Sequence, residues 1–83
     1  MTYRVDVTRK ARRQMRDLTR TTRRRIDAKL IEFESDPYRG ASKLVATSGL
    51  RVRVGDYRIL YEVDDKEKLV RVDQILHRRE AYR

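Results

Sequence analysis

The chain has 83 residues, which is room for one domain and one small core, because short chains bury a smaller fraction of their surface than long ones do. Lys and Arg outnumber Asp and Glu by 22 to 13, a formal charge of +9 carried mostly by arginine, whose planar fork suits phosphate; nucleic acid is the partner this balance favours. The absence of cysteine and the single histidine exclude disulfides, thiolate metal sites and a histidine metal cluster.

Charged residues make up 42% of the chain and hydrophobic ones 39%, a balance that alone is compatible with disorder. The spacing of the apolar residues argues for a folded core instead. Tyr3, Val5 and Val7 alternate with Arg4 and Asp6, the period of a short strand with one buried face. The chain enters this pattern at once, so the expectation is a cytoplasmic protein with neither signal peptide nor membrane span. Thr8 offers an N-cap hydroxyl, and Ala11, Met15 and Leu18 then mark one apolar stripe of a helix that stops near Thr19. Thr21 and Thr22 offer caps for a second helix, in which Ile26, Leu30 and Phe33 repeat the stripe until Ser35-Asp36-Pro37 ends it. Both stripes are narrow, so each helix is expected to lie on a sheet with its basic side turned to water or a partner.

From Tyr38 to Gly49 the residues read as loop, with Lys43-Leu44-Val45 a brief strand at most. Leu50, Val52 and Val54 then alternate with Arg51 and Arg53, Gly55-Asp56 supplies turn chemistry, and Tyr57, Ile59, Tyr61 and Val63 alternate with Arg58, Leu60 and Glu62. This pattern predicts a β-hairpin. After a polar turn from Asp64 to Lys68, a last strand runs from Leu69 to about Leu76 with Val70 and Val72 on one face, and a polar tail follows from His77 to Arg83. The order β-α-α-β-β-β(-β) describes a single α+β domain over residues 1–83, a helical hairpin packed on one side of a curved, mainly antiparallel sheet.

With Gly55-Asp56 as the hairpin loop, Val54 faces Tyr57, Arg53 faces Arg58 and Val52 faces Ile59. Arg51, Arg53 and Arg58 then gather on one side of the sheet, the valines, isoleucine and tyrosines on the other. Like charges directly opposed cost from a few tenths to about 1 kcal/mol on a sheet. A phosphate site needs that arrangement; the alternative is a solvated outer face partly neutralised by Glu62 or by acids of the helices.

The run from Arg51 to Asp64 (RVRVGDYRILYEVD), followed after one more strand by His77-Arg78-Arg79-Glu80-Ala81-Tyr82-Arg83, resembles the RelE/ParE superfamily of toxins, especially its RelE-like members. The hairpin motif is common to both branches of the superfamily, whereas the terminal His-Arg-Arg-Glu-x-Tyr looks more like the ribonuclease branch. The resemblance implies a RelE-like fold and the toxin of a type II toxin–antitoxin system. It further implies an endoribonuclease that cuts mRNA in the ribosomal A site, setting the ribose 2′-hydroxyl against the adjacent phosphate without metal or small-molecule cofactor. Arg51 and Arg53 fall where family members place basic catalytic residues, and Arg58 and Arg78 match arginines that clamp the scissile phosphate. Arg79 is the alternative to Arg78, and Arg79 and Arg83 are otherwise expected to bind RNA. Tyr82 matches a terminal tyrosine that stacks on a base and joins the proton transfer.

Arginine is a poor general base at neutral pH, so His77 or Tyr82 would have to accept the proton, with Glu80 orienting the arginines. Two departures from the family pattern stand out: Leu76 replaces a glycine common before the basic tail, and arginines replace lysines in the strand. The resemblance also implies a cognate antitoxin, the 70S ribosome with its A site, mRNA and rRNA as partners. Arg9, Arg12, Arg13, Arg23, Arg24 and Arg25 of the helices are candidate rRNA contacts, the alternative for each being a solvated face. The rival expectation is a ParE-like inhibitor of DNA gyrase without nuclease activity, and a third is a non-enzymatic basic binding domain.

Overall fold

A computed structural model describes residues 2–45 and 47–81. In chain order the elements are β1 Arg4–Val7, α1 Arg9–Arg16, α2 Arg20–Phe33, β2 Ser42–Lys43, β3 Leu50–Val54, β4 Tyr57–Asp64, β5 Leu69–His77 and α3 Arg78–Ala81. The strands form one five-stranded sheet in the order β1-β5-β4-β3-β2. Every neighbour is antiparallel except β1, which lies parallel to β5. With α1 packed on β5 and α2 on β3, the architecture is the expected α+β one.

Side-chain caps set both helix starts. The Thr8 hydroxyl accepts the Ala11 N–H at 3.2 Å and opens α1 as expected. The second helix starts earlier than the sequence suggested: its N-cap is Thr19, whose hydroxyl accepts the Thr22 N–H at 3.3 Å and donates to the Thr22 hydroxyl. Three threonines in four positions make several caps feasible, and the short turn at Asp17-Leu18 selects the first. The brief strand β2 likewise lies at Ser42–Lys43 rather than at 43–45.

The core lies between the helices and one face of the sheet. Ala11, Ile26, Phe33, Val52, Ile59, Tyr61, Val70, Val72 and Ile75 are buried in it, each large apolar side chain contributing about 1.5–3 kcal/mol. Phe33 of α2 meets Tyr61 of β4 with ring centroids 4.3 Å apart, and the buried Tyr61 hydroxyl donates to the Pro37 carbonyl at 2.6 Å. Among the described residues no helix is long and apolar enough to cross a membrane.

One irregularity decides which residues face the helices. Leu60 pairs with Gln74 but Tyr61 pairs with Val72, so Asp73 is an extra residue that bulges from β5. A bulge leaves backbone groups without ladder partners, and α1 supplies them. The Thr8 hydroxyl donates to the Asp73 carbonyl at 3.0 Å, and the Gln14 side-chain carbonyl accepts the Ile75 N–H at 2.7 Å. Beyond the bulge the alternation inverts, so that Ile75 and His77 join Val70 and Val72 on the helix side while Gln74 and Leu76 turn outward.

Candidate active site

The hairpin register is the one the sequence implies. Val54 pairs with Tyr57, Arg53 with Arg58 and Val52 with Ile59, while Gly55 enters the turn at φ +58, in the region that glycine occupies without a Cβ penalty. The face of the sheet turned away from the helices therefore carries two cross-strand rows. One runs Ser42, Arg51, Leu60, Gln74, and the other Arg53, Arg58, Leu76.

Arg51, Arg53 and Arg58 line one open concavity of about 190 Å³, walled on the far side by Gly40 of the loop after α2 and Ser42 of β2. Their environments differ. Arg51 and Arg53 are exposed, and neither forms an ion pair among the described residues. Arg58 is only 8% exposed, which puts it at the floor, and one of its guanidinium nitrogens donates to the Tyr57 carbonyl at 3.4 Å. Arg53 reaches along the strand, its Nε donating to the Gly55 carbonyl at 3.2 Å.

Acidic residues of the same face are engaged elsewhere. Glu62 pairs with Arg71 and accepts from the Ser48 hydroxyl at 3.5 Å, and Arg71 also binds Asp73 at 3.0 Å. These carboxylates, Asp73 first, push the Arg71 pKa up. Glu62 therefore neutralises Arg71 near the opposite end of the hairpin, and charge is segregated along the sheet. A concavity lined by adjacent guanidinium groups suits a phosphate, whose oxygens accept paired, charge-assisted hydrogen bonds from the guanidinium forks. Among the described residues no group of three or more His, Cys, Asp or Glu is placed to hold a metal ion.

The remaining site residues of the sequence reading are placed as follows. Arg78 and Arg79 open α3, whose start is tied to the hairpin turn by the Arg78 N–H donating to the Asp56 carbonyl at 2.7 Å. That tie brings both arginines to the sheet end occupied by Arg53 and Arg58. His77 does not join them. It pairs with Tyr57 on the helix side of the sheet, the rings edge to face with centroids 5.2 Å apart, and lines a hollow with Gln14, Asp17 and Leu18. Its Nδ1 accepts the Arg79 N–H at 3.2 Å, so the imidazole caps α3. Tyr82 and Arg83 lie outside the described residues, and Glu80 is described only as a position in α3. Sequence reasoning missed the walls at Gly40 and Ser42; the only signal was the glycine in the loop, here at φ +74.

A family profile described as the ParE toxin of type II toxin-antitoxin system, parDE, matches residues 5–82. Among solved structures, the RelE–RelB complex of Pyrococcus horikoshii OT3 contains a chain of 25% identity and TM-score 0.80, with 94% of this chain and 97% of that chain covered. The toxin–antitoxin complex RelBE2 of Mycobacterium tuberculosis gives 30% identity and TM-score 0.72, covering 93% of this chain and 99% of that one. The intact RelBE complex of E. coli gives 29% identity and TM-score 0.72 over 88% of this chain and 93% of that one. A comparison with curated proteins finds no match. The profile spans nearly the whole chain and the solved relatives share its fold over 88–94% of it, so the chain belongs to the RelE/ParE superfamily, the toxins of type II toxin–antitoxin systems.

Proposed function

We propose that the chain is a RelE-like endoribonuclease that cuts mRNA in the ribosomal A site. The observation that carries this reading is the set of three strand arginines, Arg51, Arg53 and Arg58, around one concavity, with no acid pairing Arg51 or Arg53 among the described residues. Such a cluster costs stability without an anion and stabilises one when it arrives. In the reaction the ribose 2′-oxygen bonds to phosphorus while the bond from phosphorus to the 5′-oxygen breaks, leaving a 2′,3′-cyclic phosphate and a 5′-hydroxyl. Arg58 on the floor and Arg51 and Arg53 on the rim neutralise charge that grows on the non-bridging oxygens. Arg78 or Arg79, brought by α3, adds a further guanidinium.

The proton leaving the 2′-hydroxyl needs an acceptor, and His77 is turned to the opposite side of the sheet. The resemblance gives that role to Tyr82. A cognate antitoxin holds the toxin inactive, as the RelE–RelB complexes of the relatives suggest, and rRNA of the 70S ribosome positions the substrate in the cytoplasm.

The match to the ParE profile favours a second reading, inhibition of DNA gyrase without RNA cleavage. Purified chain assayed in parallel on programmed ribosomes, naked mRNA and gyrase with supercoiled DNA separates the two. Cleavage confined to ribosome-bound mRNA is expected; gyrase-linked DNA breaks with intact mRNA would establish the rival.

A further inference from the structure

A second basic constellation lies outside the concavity, at the open edge of β3. Strand β2 pairs with Leu50 and Arg51, so among the described residues β3 is the sheet edge from Val52 to Val54. Helix α2 runs past this edge and presents Arg25, Ala28, Lys29 and Glu32 on one stripe. Arg25 reaches the hairpin turn: a Cβ built on Gly55 would stand 2.8 Å from its Nη1 and 3.3 Å from its Cζ. Arg53 arrives at the same residue from the strand, through its 3.2 Å bond to the Gly55 carbonyl. A helix residue and a strand residue thus bring their guanidinium groups to one glycine.

The hollow between them is lined by Arg25, Lys29, Glu32, Arg53, Val54 and Gly55. Glu32 is already engaged, at 3.2 Å with Lys29 and 3.9 Å with Arg39. Arg25 forms no ion pair among the described residues. Since Arg53 also lines the Arg51–Arg58 concavity, it is common to the two hollows.

The geometry points to a second phosphodiester subsite, in which Arg25 and Arg53 grip the backbone phosphate next to the one held by Arg51 and Arg58. Its ligand is the RNA strand that occupies the proposed active site, so the inference rests on that reading and adds a positioning role for Arg25. Two adjacent phosphates fixed by one shared arginine set the direction in which the strand crosses the hairpin. They also hold the intervening ribose, which is what alignment of a 2′-hydroxyl attack requires. Gly55 is needed twice here, for its positive φ and for the space the Arg25 guanidinium occupies.

The test is the salt dependence of binding to a 2′-O-methyl oligoribonucleotide, which cannot be cleaved, measured for the full chain and for Arg25→Gln. For single-stranded RNA the slope of log K against log salt changes by about 0.7 for each phosphate that is no longer neutralised. Arg25→Gln is expected to lower the slope by about that amount and to weaken binding several-fold, whereas Arg25→Lys, which keeps the charge but not the fork, is expected to keep the slope and to weaken binding less. Lys66→Gln, which removes the same charge at the far β4–β5 turn, is expected to leave both unchanged, and circular dichroism confirms the fold of each variant. An unchanged slope for Arg25→Gln overturns the subsite, as does equal loss in Lys66→Gln or a wild-type chain that does not bind the oligonucleotide. Loss seen only in binding to 70S ribosomes, with free-oligonucleotide affinity intact, gives Arg25 to rRNA and also overturns it. The Arg25 effect on binding by a chain that cuts no mRNA would keep the subsite and reject the nuclease reading.

Discussion

His77 and Tyr57 face each other across β5 and β4 on the helix side of the sheet, ring planes at 88°, while the neighbour of each in sequence, Arg78 or Arg58, belongs to the basic end of the molecule. The imidazole is therefore a cap for α3 and a packing partner for Tyr57. Removal of a general base costs about 10²–10⁴-fold in rate, so the two roles are separable. His77→Asn, which keeps a side-chain acceptor for the Arg79 N–H, is expected to retain cleavage within a few-fold, and His77→Leu to lose more. Rates of both variants on programmed ribosomes check this; a loss of 10²-fold or more in His77→Asn, with its circular dichroism unchanged, would make the histidine catalytic.

The bulge at Asp73 depends on Gln14. Replacing Gln14 by Leu leaves the Ile75 N–H without its acceptor, and an unsatisfied buried donor costs about 1–3 kcal/mol. Gln14→Leu is expected to lower the urea midpoint accordingly and to speed hydrogen exchange at the Ile75 amide well beyond that at Val70. Uniform exchange across β5 would mean that the bulge is held by something else.

Arg53 and Arg58 oppose each other directly, so the cluster trades stability against the proposed function. Arg53→Thr removes one of two like charges and adds a β-branched residue at an exposed strand position, for an expected gain of about 0.2–1 kcal/mol. Cleavage is expected to fall at least 10²-fold, as for loss of one group that stabilises transition-state charge. Denaturant unfolding and the ribosome assay on one preparation read both effects; reduced stability together with full activity would contradict the role given to Arg53.

Asp65 receives two phenolic hydrogen bonds, from Tyr3 and Tyr38, each 2.5 Å long, which tie the β4–β5 turn to the start of β1 and to the loop after α2. The bond to Asp65 pushes Tyr38 up to about 12, while the bonds from Tyr3 and then Tyr38 hold Asp65 below its ordinary 3.8. A raised tyrosine contributes stability that is complete below its unfolded value of 10.0 and lost as pH rises through about 12. The lowered Asp65 contributes stability above its unfolded value, lost as pH falls through the folded one. Urea midpoints from pH 9 to 12 are expected to decline less steeply in Tyr38→Phe than in the parent, although Tyr61, raised to about 12 by burial, declines in both. Superimposable profiles would remove the clamp.

Much of the fold and of the arginine cluster is legible in the sequence, and the reasons are local. The hairpin register follows from a two-residue loop at Gly55-Asp56, and strand alternation then gathers Arg51, Arg53 and Arg58 without any long-range information. The helix stripes at Ala11, Ile26 and Phe33 likewise name the core directly. What alternation could not reveal is the extra residue at Asp73, because bulges have no composition signature strong enough to read from one chain. Continued alternation from Val72 would have turned His77 outward toward the arginines; the bulge turns it inward. The parallel pairing of β1 with β5 and the walls at Gly40 and Ser42 depend on residues distant in sequence, which periodicity does not encode. The threonine cap of α2 was displaced by a choice among near-equivalent residues at Thr19, Thr21 and Thr22.

The most direct measurement is the chemistry of the RNA ends left on a ribosome that holds a defined message with an empty A site. The purified chain is expected to cut within the A-site codon, leaving a 2′,3′-cyclic phosphate upstream and a 5′-hydroxyl downstream, with Arg58→Ala slower by about 10²–10³-fold or more. An uncut message, a 5′-phosphate on the downstream fragment, or undiminished cutting by a folded Arg58→Ala chain would contradict a phosphate held among these arginines.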